Sequence, residues 1–104
     1  MDDETVTLGG NIQLSGFKDM EPAQMIVLKK IIGTYARKFS NKCGKFELLK
    51  LSMKKVHGQE HSEKYEIHAM IVDEGKQYTS EITERNLFFA VDASLKKVEN
   101  EISK

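Results

Sequence analysis

The chain has 104 residues, and its 16 Lys+Arg balance 16 Asp+Glu for a formal net charge of zero at pH 7. That length suits one domain, and 39% hydrophobic with 31% charged residues fits a packed core rather than a disordered chain. No uncharged apolar run approaches the roughly 20 residues that span a bilayer. The start, Met1-Asp2-Asp3-Glu4, lacks the basic-then-apolar order of a secretory signal, and the single Cys43 excludes an internal disulfide. A cytoplasmic protein is expected.

Residues 1–9 are predicted to be a flexible acidic tail, because Met1 to Leu8 shows no apolar period. Residues 10–104 are predicted to form a single domain. From Asn11 to Phe17, Ile12 and Leu14 alternate with Gln13 and Ser15, a period of two that marks a half-buried strand. A long helix follows. Asp19 or Glu21 can cap it, Pro22 is tolerated in its first turn, and Met25, Leu28, Ile32, Tyr35 and Phe39 make one apolar stripe. Gly44 ends it.

Three strands come next. Leu49, Leu51 and Met53 alternate with Lys50, Ser52 and Lys54; Tyr65, Ile67, Ala69 and Ile71 alternate with Glu66, His68, Met70 and Val72; Tyr78, Ser80 and Ile82 face away from Gln77, Thr79 and Glu81. Asp73-Glu74-Gly75-Lys76 reads as a hairpin turn. A last helix is expected from near Thr83, whose hydroxyl can cap, with Phe88, Val91, Leu95, Val98 and Ile102 in its stripe. Phe89, beside Phe88, can be an exposed anchor or pack against the end of the sheet, and the second is expected. The order is therefore β-α-β-β-β-α. A strand–helix–strand crossover makes the first pair parallel, and short turns make the rest antiparallel. Helices with one apolar face each pack on the same side of a four-stranded sheet, giving a two-layer α+β sandwich. Gln13, Ser15, Lys50, Ser52, Lys54, His68 and Thr79 then lie on the uncovered side.

Few residues suggest chemistry. His57-Gly58-Gln59-Glu60-His61 matches the H-x-x-E-H pattern of inverted zinc peptidases. That chemistry needs both histidines on one helical face and a third ligand, whereas here they fall in a turn between strands, so a solvated loop is expected. Cys43 at a helix end reads as a passive thiol, Asp73 and Glu74 as turn residues, and His68 as an exposed strand residue. The chain is expected to be no enzyme and to carry no cofactor, metal or small-molecule substrate.

The zero net charge hides an asymmetry. Residues 1–17 carry −3, residues 18–64 carry +6 and residues 65–104 carry −3. Between Met25 and Val56 nine bases face a single acid, Glu47. Lys30, Arg37, Lys38, Lys42 and Lys45 run along the first helix and its end. Lys50, Lys54 and Lys55 continue on the second strand, and Lys96 and Lys97 sit on the last helix. This pattern points to a polyanion. An RNA-recognition motif is a poor match, for the expected open sheet face has no aromatics. A double-stranded-RNA-binding domain would place lysines where Glu84-Arg85-Asn86 stands.

The last helix, Asn86 to Ile102, resembles that of the hibernation-promoting factor and ribosome-associated inhibitor family. There the helix reads Asp-Leu-Tyr-Ala-Ala-Ile-Asp, two or three spacers, then Asp-Lys-Leu-Glu-Arg-Gln-Leu. Leu87, Ala90, Asp92, Lys97 and Glu99 hold the pattern. Phe88 stands for tyrosine, Val91 for isoleucine, and Val98 and Ile102 for leucines. The strand Asn11-Ile12-Gln13-Leu14-Ser15-Gly16 is similar to the family's Ile-x-Ile-x-Gly start, and the element order is the family's own. The departures are Phe89 for a small residue, Asn86 for Asp and Lys96 for an acid. The resemblance covers about residues 10–104. It implies a short-form ribosome-associated factor, monomeric off the ribosome, that occupies the decoding channel of the small subunit under stress, inhibits translation and meets rRNA phosphates with its bases. Lys97 is carried over from the matched motif, whereas the first-helix bases match by location. The alternative is a protein-interaction module whose basic helix docks an acidic partner.

Overall fold

A computed structural model describes residues 5–8, 10–57 and 63–103. The elements are β1 (Thr5–Leu8), β2 (Ile12–Ser15), α1 (Pro22–Lys42), β3 (Phe46–His57), β4 (Glu63–Asp73), β5 (Lys76–Glu84) and α2 (Leu87–Ile102). The sheet order is β1-β2-β3-β4-β5. From β2 onward this is the β-α-β-β-β-α, two-layer α+β fold anticipated above. β2 pairs parallel with β3, Leu14 opposite Leu51, and the later pairs are antiparallel.

Two expectations are corrected. The sheet has a fifth strand, because Thr5–Leu8, expected within a flexible tail, pairs antiparallel with β2 from Thr5↔Ser15 to Leu8↔Ile12. Its Thr-Val-Thr-Leu alternation is a strand signal, and Gly10, at φ +86°, turns the chain into β2. Thr83, the expected helix cap, lies instead in β5. Asn86 caps α2, its side-chain oxygen accepting a hydrogen bond from the Phe89 N–H at 2.9 Å. The cap sets the helical phase, so Leu87, Ala90, Val91, Ser94, Leu95 and Val98 are buried while Phe88 and Ile102 are partly covered.

At the start of α1, Glu21 is the N-cap, its N–H donates to Gln24 Oε1 at 3.2 Å, and Pro22 occupies the first turn. The β4–β5 turn places both Glu74 (φ 54°) and Gly75 (φ 82°) in the left-handed region, the primed geometry that matches strand twist. The covered side of the sheet presents Leu14, Leu49, Leu51, Ile67 and Ile71 to Leu28, Ile32 and Phe39 of α1 and to Val91, Leu95 and Val98 of α2, all essentially inaccessible. Each such side chain contributes about 1.5–3 kcal/mol on burial. Small residues let α2 sit close on β5, where the Ser80 hydroxyl donates to the Ser94 carbonyl at 2.8 Å. Among the described residues no helix is long and apolar enough to cross a membrane.

Candidate nucleic-acid interface

The bases fall into two sets on opposite layers. On α1, burial of Leu28, Ile32, Tyr35 and Phe39 turns the ridge Ile26, Lys30, Gly33, Arg37, at spacings of four, three and four, toward solvent. On α2 the corresponding outward ridge is Phe89, Ala93, Lys96, with Lys97 exposed beside it. The two helices run side by side in the same direction: Asp92 of α2 faces Tyr35 of α1 closely enough to raise its phenol, and Lys42 Nζ lies 3.8 Å from Glu99 Oε2 and donates to Ser103 Oγ at 3.0 Å. Arg37 and Lys96 therefore sit at similar heights on the outer helical face.

The second set lies on the uncovered sheet face. Lys50 and Lys54 project there, with Gln13, Ser15, Ser52, His68 and Thr79 as anticipated from the alternation. Lys50, Ser52, His68, Met70 and Thr79 line a shallow hollow of about 210 Å³ with no aromatic side chain. Lys55 belongs to neither set. It faces the other way at the end of β3 and lines a 270 Å³ hollow with Met20, Gln24, Tyr65 and Leu87.

The remaining candidates are partly engaged. Lys38 Nζ lies 4.9 Å from the Tyr35 ring centroid. Lys42 ties α1 to α2, and among the described residues it is the only lysine or arginine in an ion pair. Lys45 is exposed, with its backbone N–H donating to Asp73 Oδ1 at 2.9 Å. Several acids are bound internally. Asp73 holds Lys45, Glu47 accepts from the Gly75 N–H at 3.2 Å, Asp92 faces Tyr35 and Glu99 faces Lys42. Lys30, Arg37, Lys50, Lys96 and Lys97 are exposed and in no ion pair among the described residues, whereas Lys54 stands opposite Glu66 and acts on its carboxyl.

Phe89 is 58% exposed, as are Ile26 at 59% and Val27 at 43%. Of the two readings for Phe89, packing against the end of the sheet was preferred over an exposed anchor. The Asn86 cap instead fixes it opposite the buried Leu87–Ala90–Val91 stripe, so it points to solvent. Burial pushes the Cys43 thiol up to about 11, with the Asp73 carboxylate adding to the shift. That is the wrong direction for a nucleophile, which must be a thiolate. Residues 58–61 of the expected His57–His61 loop lie outside the described residues.

One juxtaposition leaves no trace in the alternation of a single strand. Glu66 and His68 share the open face of β4, and register places Glu81 of β5 directly opposite His68. His68 Nε2 lies 2.6 Å from Glu66 Oε2 and 3.9 Å from Glu81 Oε2. The hydrogen bond with His68 holds the Glu66 carboxyl below the usual carboxylate range, and Lys54 lowers it further. A two-residue turn at Glu74-Gly75 forces the pairing of 73 with 76, and so of 68 with 81. The hairpin alone carried that signal. No family model matches this chain, and no curated protein matches it.

Proposed function

We propose that this chain is a ribosome-associated factor that binds the small subunit through rRNA phosphates near the decoding channel and inhibits translation or promotes hibernation under stress. One observation carries the reading: among the described residues Lys30, Arg37 and Lys96 on the helical face and Lys50 on the sheet face are exposed and in no ion pair, while Asp73, Glu47 and Glu99 are bound internally. Free Lys and Arg side chains suit phosphate contact, which gains free energy by releasing counterions. Their division between the helical and the open sheet faces suits a partner that surrounds the domain, as a channel lined by RNA does. The likeness of residues 86–102 to the hibernation-promoting factors supports the same partner. In this reading the protein works by occupancy, without catalysis or cofactor, in the cytoplasm where ribosomes are.

A second reading, docking to an acidic protein, draws support from exposed Ile26, Val27 and Phe89 on the helical layer. Binding to purified small subunits across a salt series separates the two. RNA-phosphate contact gives an affinity that falls steeply with salt, and each lost basic contact lowers the slope by about one unit. The double variant Arg37→Glu, Lys97→Glu is expected to lose subunit binding and translational inhibition together. Unchanged association and inhibition in that variant would overturn the ribosome reading.

A further inference from the structure

The cluster on the open sheet face has the makings of a metal site, and we propose that Glu66, His68 and Glu81 bind a first-row divalent cation of the zinc class. The three side chains come together for reasons built into the sheet. Residues two apart on one strand share a face, which brings Glu66 beside His68, and the β4–β5 register sets Glu81 across from His68. One ligand atom from each lies within 4.8 Å of the other two. Zinc bonds of about 2.0–2.2 Å to nitrogen and carboxylate oxygen place neighbouring donors roughly 3–3.5 Å apart in a tetrahedron. The distances of 2.6 and 3.9 Å from His68 Nε2 to the two carboxylates bracket that spacing. Small rotations about the Glu66 and Glu81 side-chain bonds close the geometry, while the paired strands hold the backbone.

The donor set selects the ion. One imidazole and two carboxylates carry a charge of −2 when His68 is neutral, which a divalent cation neutralises. Calcium and magnesium take oxygen donors almost exclusively, whereas imidazole suits zinc and its transition-metal neighbours. Ligation uses the lone pair on Nε2, so the ring keeps its hydrogen on Nδ1 and gives up its bond to Glu66. With three protein ligands at most, and side chains of His68 and Glu81 48% and 59% exposed, the ion keeps an open position toward solvent. Lys54, opposite Glu66, opposes binding by its charge and limits affinity.

The test is a calorimetric titration of the full chain with zinc chloride, repeated with cobalt to follow its visible absorption bands. One ion per chain is expected. Glu66→Gln and Glu81→Gln, which keep side-chain size, should each weaken binding by at least about tenfold, and His68→Ala should abolish it with the fold unchanged by circular dichroism. The double variant His57→Ala, His61→Ala removes the other histidines of the chain and should bind zinc as the parent does. Paramagnetic broadening by cobalt in the unaltered protein should centre on the His68 ring. The proposal is overturned if the parent binds no zinc, if the Glu66, His68 and Glu81 variants bind it normally, or if only the His57/His61 variant loses it.

Discussion

Gly16 and Gly33 show how one substitution takes opposite signs at two positions. Gly16 leaves β2 at φ +87°, and a Cβ there would overlap the Met53 carbonyl oxygen on β3. Gly16→Ala is therefore expected to cost more than the roughly 1–3 kcal/mol of left-handed strain alone, because rigid backbone cannot move aside. Gly33 lies exposed in the middle of α1, and a Cβ there meets nothing within 4 Å. Gly33→Ala is expected to stabilise by about 0.5–1 kcal/mol through the lower chain entropy of the unfolded state. Urea denaturation midpoints measure both. Equal effects of the same sign would show that the close approach of residue 16 to β3 is wrong.

Among the elements, the two helices are held by polar ties that respond to pH in a definite direction. Burial, then the hydrogen bond to Asp92 and the charges of Asp92 and Glu99, push the Tyr35 phenol up to about 12. In the unfolded chain it ionises near its ordinary value of 10. Between pH 10 and 12 the unfolded state therefore gives up the proton while the native state keeps it, so stability is full below pH 10 and falls as pH rises toward 12. Cys43, raised from an ordinary 9 to about 11, adds a decline of the same sign between those values. Subtracting the denaturation profile of Tyr35→Phe from that of the parent cancels the lysines common to both. The difference should fall between pH 10 and 12; a flat difference would mean that the phenol is not shielded at the α1–α2 contact.

The same elements show what a sequence can carry. The alternations in β3, β4 and β5 and the stripe of α1 were legible because one face meets the core and the other meets water, which leaves a strict period. β1 was less so. Four residues are too few to establish a period, and the preceding acids suggested a tail, although Thr5-Val6-Thr7-Leu8 has strand character and Gly10 follows. The start of α2 slipped because Thr83 and Asn86 are both good caps, and only pairing of Thr83 with Glu66 in the β4–β5 ladder decides between them. Phe89 then followed the phase that Asn86 sets. The basic candidates could be named by segment. Their division between two layers depends on which face each strand and helix buries, and Lys42 was taken out of the free set by Glu99, fifty-seven residues away.

At the scale of the molecule, the division of charge makes the shape of the partner measurable. The domain spans 45 × 28 × 25 Å, with Lys30, Arg37 and Lys96 on the helical face and Lys50 and Lys54 on the open sheet face. A flat polyanion can engage one face at a time, whereas an enclosing one engages both. Neutralising pairs, Lys30→Gln with Arg37→Gln and Lys50→Gln with Lys54→Gln, remove charge without adding repulsion. Against small ribosomal subunits each pair should lower the salt slope by about two units, and the quadruple variant by about four, since each phosphate contact releases its own counterions. These residues lie on opposite layers and share no contact, so their losses of binding energy should add. If one pair alone changes the slope, the partner lies against a single face, and the bases of the other layer serve the surface rather than the site. The acidic ends of the chain bear on the outcome too: with zero total charge there is little general attraction to polyanions, and affinity must come from the local contacts that these variants remove one layer at a time.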